Sequence, residues 1–130
     1  MKYLKILRFP FLTPVIICLL SFVSCIPWDN HSFPSKVTFS KDGGEKVVVG
    51  VIDPSVLSIY SGNYEILAEG DLIGNDSVKV GYDWLRLKSY KNRKAIIINA
   101  SPNGGNKRKL IVDLDFGQTR GEIVVVQNGK

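Results

Sequence analysis

Apolar positions along this chain follow two regimes. From Phe9 to Val23 they form a nearly unbroken run, and from residue 37 onward they come in short bursts cut by turn residues. The later bursts carry the two-residue period of half-buried strands. In residues 37–40, Val37 and Phe39 share a face. Residues 46–52 are β-branched and apolar on both faces, which predicts a central strand. Gly43 and Gly44 are expected to close a hairpin before it, and Pro54 ends it, because proline cannot donate to a ladder. Residues 56–83 are the least patterned part. There, 64–68 and 78–82 predict strands on either side of a polar loop, 69–77. In residues 84–89, Leu85 and Leu87 point one way and Trp84, Arg86 and Lys88 the other. Residues 95–100 place Ile96 and Ile98 together. Residues 109–116 set Leu110, Val112, Leu114 and Phe116 inward, with Asp113 and Asp115 outward. Residues 122–127 supply the last strand. No stretch beyond the first run keeps apolar residues at i, i+3, i+4 and i+7 over three turns. The pattern predicts an all-β sandwich of about seven strands.

The first regime has a different logic. Lys2, Lys5 and Arg8 precede the apolar run and small residues end it, which is the layout of a secretory signal. Phe22-Val23-Ser24-Cys25 resembles the lipobox of bacterial lipoproteins, with Phe22 where leucine is usual. In that family the cysteine takes a diacylglycerol thioether before cleavage. The resemblance implies a signal peptide over 1–24, lipidation at Cys25, a lipidated tether over 25–36 and one domain over 37–130. It also implies a membrane partner through the anchor, in the cell envelope at the outer membrane, with the periplasmic and surface faces both open. A transmembrane anchor is the competing reading. The apolar run is about 15 residues against the ~20 a span needs, and Pro10 and Pro14 fall where a span would begin. Trp28, in the tether, either sits in the lipid interface, a habit of tryptophan, or floats free.

Charge changes its meaning once the leader is set aside. The chain of 130 residues has a formal net charge of +5, but three of its seventeen cations leave with the leader, so fourteen face twelve anions. The basic pI therefore does not argue for a nucleic-acid partner. The clusters around Arg86, Lys88, Lys91, Arg93 and Lys94, and at Lys107-Arg108-Lys109, lack interleaved aromatics and are expected on solvated sheet edges. Cys18 and Cys25 are the two cysteines. Cys18 lies in the leader, so packing rather than a disulfide has to hold the domain.

Residues 39–45 ahead of Val47-Val48-Val49 resemble the opening of a BACON domain, named for Bacteroidetes-associated carbohydrate binding. Asp83-Trp84-Leu85, Ile96-Ile97-Ile98, Pro102-Asn103 with Arg108, and Ile123 to Gln127 continue the likeness in order and spacing. The segment after Gly50 lacks the tryptophans expected there. The resemblance implies an immunoglobulin-like β-sandwich, often found in secreted or lipid-anchored proteins of gut bacteria, that binds carbohydrate or mucin glycan. Some members of the family look like spacers.

A glycan site needs aromatic platforms beside hydrogen-bonding groups. Tyr60, Tyr64, Tyr82, Trp84 and Tyr90 are the candidates. Trp84 is either an exposed partner of Tyr82 and Arg86 or a side chain covered by segment 56–78. Gln127 shares the parity of Ile123 and Val125, so its amide is expected to be partly buried and to need partners. Catalysis has few candidates. His31 lies in the tether, and Asp113 and Asp115, about 7 Å apart on one strand face, read as solvated residues rather than the paired carboxylates of a glycosidase. The carboxylates of loop 69–77 lack the spacing of a calcium loop. No enzyme, metal or cofactor is expected. Asn30, Asn75 and Asn99 head Asn-x-Ser triplets, which matter only in a eukaryotic secretory route. Two functions remain open: a non-catalytic glycan-binding lipoprotein, and a structural spacer or adaptor that binds a protein partner in the envelope.

Overall fold

Alternation of apolar and polar side chains becomes nine strands in the computed structural model, which describes residues 27–130. The strands are β1 (Lys36–Phe39), β2 (Gly44–Val49), β3 (Val56–Tyr60), β4 (Ile66–Asp71), β5 (Ser77–Tyr82), β6 (Leu85–Tyr90), β7 (Ala95–Ala100), β8 (Arg108–Asp115) and β9 (Arg120–Gln127). Among the described residues there is no helix. A five-stranded sheet runs β1-β9-β8-β3-β4 and a four-stranded sheet runs β2-β7-β6-β5. With β2, β7 and β6 taken as strands B, E and D, and β3, β8 and β9 as C, F and G, the connectivity is that of an immunoglobulin sandwich. The described residues thus form an all-β sandwich. The 1–24 leader and Cys25 lie outside the described residues.

The core lies between the sheets. Leu57 and Ile59 of β3, Leu85 and Leu87 of β6, Ile96 and Ile98 of β7, Val112 and Leu114 of β8, and Ile123 and Val125 of β9 are all buried. Each such aliphatic side chain contributes roughly 1.5–3 kcal/mol through burial. Two polar side chains join them, Ser89 of β6, whose Oγ donates to the carbonyl of Ala95 at 3.0 Å, and Gln127 of β9. Gln127 is fully buried, donating through Nε2 to the carbonyls of Ser40 (3.1 Å) and Ser101 (2.7 Å). Its Oε1 accepts from Arg108 Nε at 2.8 Å. The amide therefore has the partners its parity called for, and it ties β9 to two loops.

Four expectations from the pattern change. Gly43 and Gly44, both at positive φ, do not close a hairpin. β1 pairs parallel with β9 and β2 pairs antiparallel with β7, so the turn carries the chain from one sheet to the other. β2 is an edge strand with β7 as its neighbour, and Val47 and Val49 project from its outer face, 58% and 60% exposed. Asp113 is not solvated. It is 5% exposed because Arg120 reaches back from β9 and Arg120 Nη2 donates to Asp113 Oδ2 at 2.7 Å. The residues expected as a tether are hydrogen-bonded to the sandwich from Pro27 onward. Asp29 N donates to Arg120 O (2.9 Å) and Arg120 N to Pro27 O (3.0 Å). Asn30 and Glu122 exchange side-chain and backbone bonds of 2.8 and 2.9 Å, and Phe33 is buried, stacked on Phe116.

Loops gather at two ends. Residues 27–35, 50–55, 72–76, 91–94 and 116–119 share the leader end; the turns after β1, β3, β5 and β7 share the opposite end.

Candidate functional site

The outer face of the four-stranded sheet carries a groove of about 400 Å³. Strand parity builds it. Leu85, Leu87 and Ser89 of β6 turn inward and are buried, so Arg86, Lys88 and Tyr90 turn outward. The same rule sends Lys79 and Gly81 of β5 outward, with Ile97 and Asn99 of β7 and Glu45 and Val47 of β2. Register then sets the rows. Gly81 pairs with Arg86, Arg86 with Asn99, and Asn99 with Glu45. In the next row Lys79 pairs with Lys88, Lys88 with Ile97, and Ile97 with Val47. Four strands spaced at about 4.8 Å make each row roughly 14 Å wide. Gly81 has a steric reason. A Cβ there would lie 3.2 Å from Arg86 Nη1 and 3.6 Å from Arg86 Cγ, so its absence lets the guanidinium lie across the strand.

The electrostatics are one-sided. Lys79 and Lys88 stand directly opposite each other, an arrangement that destabilises an antiparallel pair, and Arg86 lies in the neighbouring row. The ion pairs among the described residues are His31–Asp29 and Arg120–Asp113, so none of these three cations has a carboxylate partner there. Lys88 Nζ sits 4.8 Å from the Tyr90 ring centroid. The lysine, by hydrogen bonding first and charge second, lowers the Tyr90 phenol below its ordinary value. The surface thus offers three cations, an amide, a carboxylate and an apolar floor at Ile97. That inventory suits an anionic, hydroxyl-rich ligand lying flat, and it holds no nucleophile–base pair.

Of the five aromatic candidates, Tyr90 alone lies on this face. Tyr82 ends β5 at the other end of the β5–β6 ladder. Tyr64 is on the β3–β4 turn, 59% exposed at φ 62°. Tyr60 is in the five-stranded sheet, where its hydroxyl accepts from Arg120 Nη2 at 3.3 Å. Trp84 is 5% exposed, with the Arg108 guanidinium 4.7 Å from its ring centroid. The five do not form one cluster. Arg86 and Lys88, expected on a sheet edge, lie on β6, an interior strand. Their outward parity was legible in residues 84–89; their meeting with Lys79 was not, since it depends on the β5–β6 register. Of the acids in 69–77, Asp71 turns back on its own loop, its Oδ1 accepting from Ile73 N at 2.6 Å.

No family model and no curated protein matches the chain. Among solved structures it is similar to the NMR structure of a protein from Bacteroides thetaiotaomicron, with a TM-score of 0.54 and 15% identity. The likeness covers 80% of this chain and 88% of that one. At that identity it supports the sandwich fold and carries nothing about ligands.

Proposed function

We propose that this protein is an envelope-anchored bacterial lipoprotein of the BACON kind, lipidated at Cys25, whose single non-catalytic sandwich binds glycan bearing acidic groups. Lys79, Arg86 and Lys88 are the observation that carries the reading. Like charges set opposite each other, as Lys79 and Lys88 are, lower stability, and three cations with no ion-pair partner among the described residues make sense as a surface waiting for anions. Asn99 and Glu45 add a donor–acceptor pair for sugar hydroxyls, and Ile97 gives an apolar bed for a ring face. Tyr90, held by Lys88, borders the site. Sulfated or uronate-containing chains, such as mucin glycans, fit this chemistry. The test is a glycan array probed with the mature protein and with Arg86→Glu and Lys88→Glu. The expected result is binding to sulfated or uronate glycans, lost in both variants. Equal signals from wild type and variants, or none on any acidic glycan, would overturn it.

A second reading has its own support. The β2 edge leaves backbone groups open beside exposed Val47 and Val49, a setting in which a partner can add a strand. An adaptor of this type would lose its partner on Val47→Lys and keep it on Arg86→Glu, the reverse of the glycan reading.

A further inference from the structure

The leader end of the sandwich has features that the glycan face does not use. Pro27 is already hydrogen-bonded to Arg120, and two residues of chain span at most about 7 Å. A lipid on Cys25 would therefore hold this end against the bilayer, with no slack to let the domain swing away. The loops there are apolar at their tips. Ile73, at the β4–β5 loop, is 66% exposed, Trp28 63% and Val51 52%. They come from three separate segments that the fold brings to one end. Lys91, Arg93 and Lys94, on the β6–β7 turn of the same end, are exposed.

Four aspartates at this end turn to the backbone, and a fifth, Asp76, is exposed beside Lys91, whose amide donates to its carbonyl at 2.9 Å. Asp53 accepts from the amides of Asn92 (2.6 Å) and Lys94 (2.8 Å), Asp115 from Gly117 (2.8 Å) and Asp29 from His31 (2.8 Å). Asp71 does the same for Ile73. The cations of the turn have no carboxylate partner among the described residues. Apolar tips beside exposed cations that form no ion pair among the described residues are the two components that bind an interface carrying anionic headgroups.

Resting on the lipid-anchored reading above, we infer that the leader end docks onto the bilayer. Trp28, Val51 and Ile73 enter the headgroup region, and Lys91, Arg93 and Lys94 meet anionic lipid. The docked domain stands with its opposite end away from the membrane and its groove facing sideways.

Spin labels test this on the mature lipidated protein in vesicles of phosphatidylethanolamine and phosphatidylglycerol. Cys18 leaves with the leader and Cys25 is acylated, so a thiol introduced by Ile73→Cys or Tyr64→Cys is the one labelled. The label at position 73 is expected to collide preferentially with oxygen, and the label at 64 with a water-soluble nickel complex. Replacing phosphatidylglycerol with phosphatidylcholine is expected to reduce the oxygen preference at 73. Equal aqueous exposure at both positions, in protein that carries labelled palmitate, overturns the docking and leaves the anchor standing. Dipolar broadening between labels at 73 overturns it in favour of a second copy on this end. Absence of palmitate from wild-type protein overturns the anchor itself, and the docking with it.

Discussion

Arg120 reaches across the outer face of the five-stranded sheet to Asp113, with Nη2 donating to Oδ2 at 2.7 Å. The two ends of the bond are unequal: the Asp113 side chain is 7% exposed and that of Arg120 33%. Asp113, with Tyr60 adding a second acceptor, raises the Arg120 guanidinium above its ordinary value. Removing the arginine strands a buried carboxylate, whereas removing the aspartate leaves a guanidinium that can turn to water. Arg120→Met is therefore expected to cost about 2–3 kcal/mol and Asp113→Ala about 1 kcal/mol, below the full range for buried pairs because Arg120 is partly solvated. Urea unfolding of both variants and of the double variant checks this. The double variant is expected to lose less than the two singles together.

Gly50 packs against the ring of Phe33, and a Cβ at that position would clash with its Cδ2 and Cε2 atoms. Phe33 is the apolar anchor of segment 27–35. Gly50→Ala is therefore expected to lift that segment and destabilise the domain by about 1–3 kcal/mol, the usual cost of overpacking. Limited proteolysis checks it through earlier cleavage between Trp28 and Ser35 in the variant than in wild type.

Lys88 lowers the Tyr90 phenol, so one phenolate is expected to form early in an alkaline titration followed by ultraviolet absorbance. Lys88→Ala moves that midpoint up, towards the ordinary value of 10.0. A phenol whose folded-state pKa is depressed favours the folded state above its unfolded pKa. That contribution fades as pH falls through the folded value. Wild type should gain on Lys88→Ala in denaturant midpoint only in the alkaline range.

Period-two segments were legible wherever one face was buried and the other wet. Residues 84–89 and 95–100 became β6 and β7 with Leu85, Leu87, Ile96 and Ile98 inside. β3 was missed because Ser58 is buried on its outer face beside Asp113, as Leu57 and Ile59 are on the inner one. A strand buried on both faces shows no alternation. β2 misled in the opposite direction, since Val47 and Val49 are apolar and exposed. Asp113 looked solvated because its partner, Arg120, lies beyond a turn. The groove was the least legible feature. In the sequence Arg86 and Lys88 look like charge on an edge, and only the pairing of β5 with β6 sets Lys79 beside them.

The most direct measurement is a heteronuclear NMR titration of the protein with a sulfated or uronate oligosaccharide, alongside the neutral chain of equal length. The acidic sugar is expected to shift the amides of Lys79, Arg86, Lys88 and Asn99, weakening as salt rises, while the neutral chain leaves them in place. Unmoved resonances across β5, β6 and β7, or shifts confined to the exposed β2 edge, would contradict acidic-glycan binding on this face.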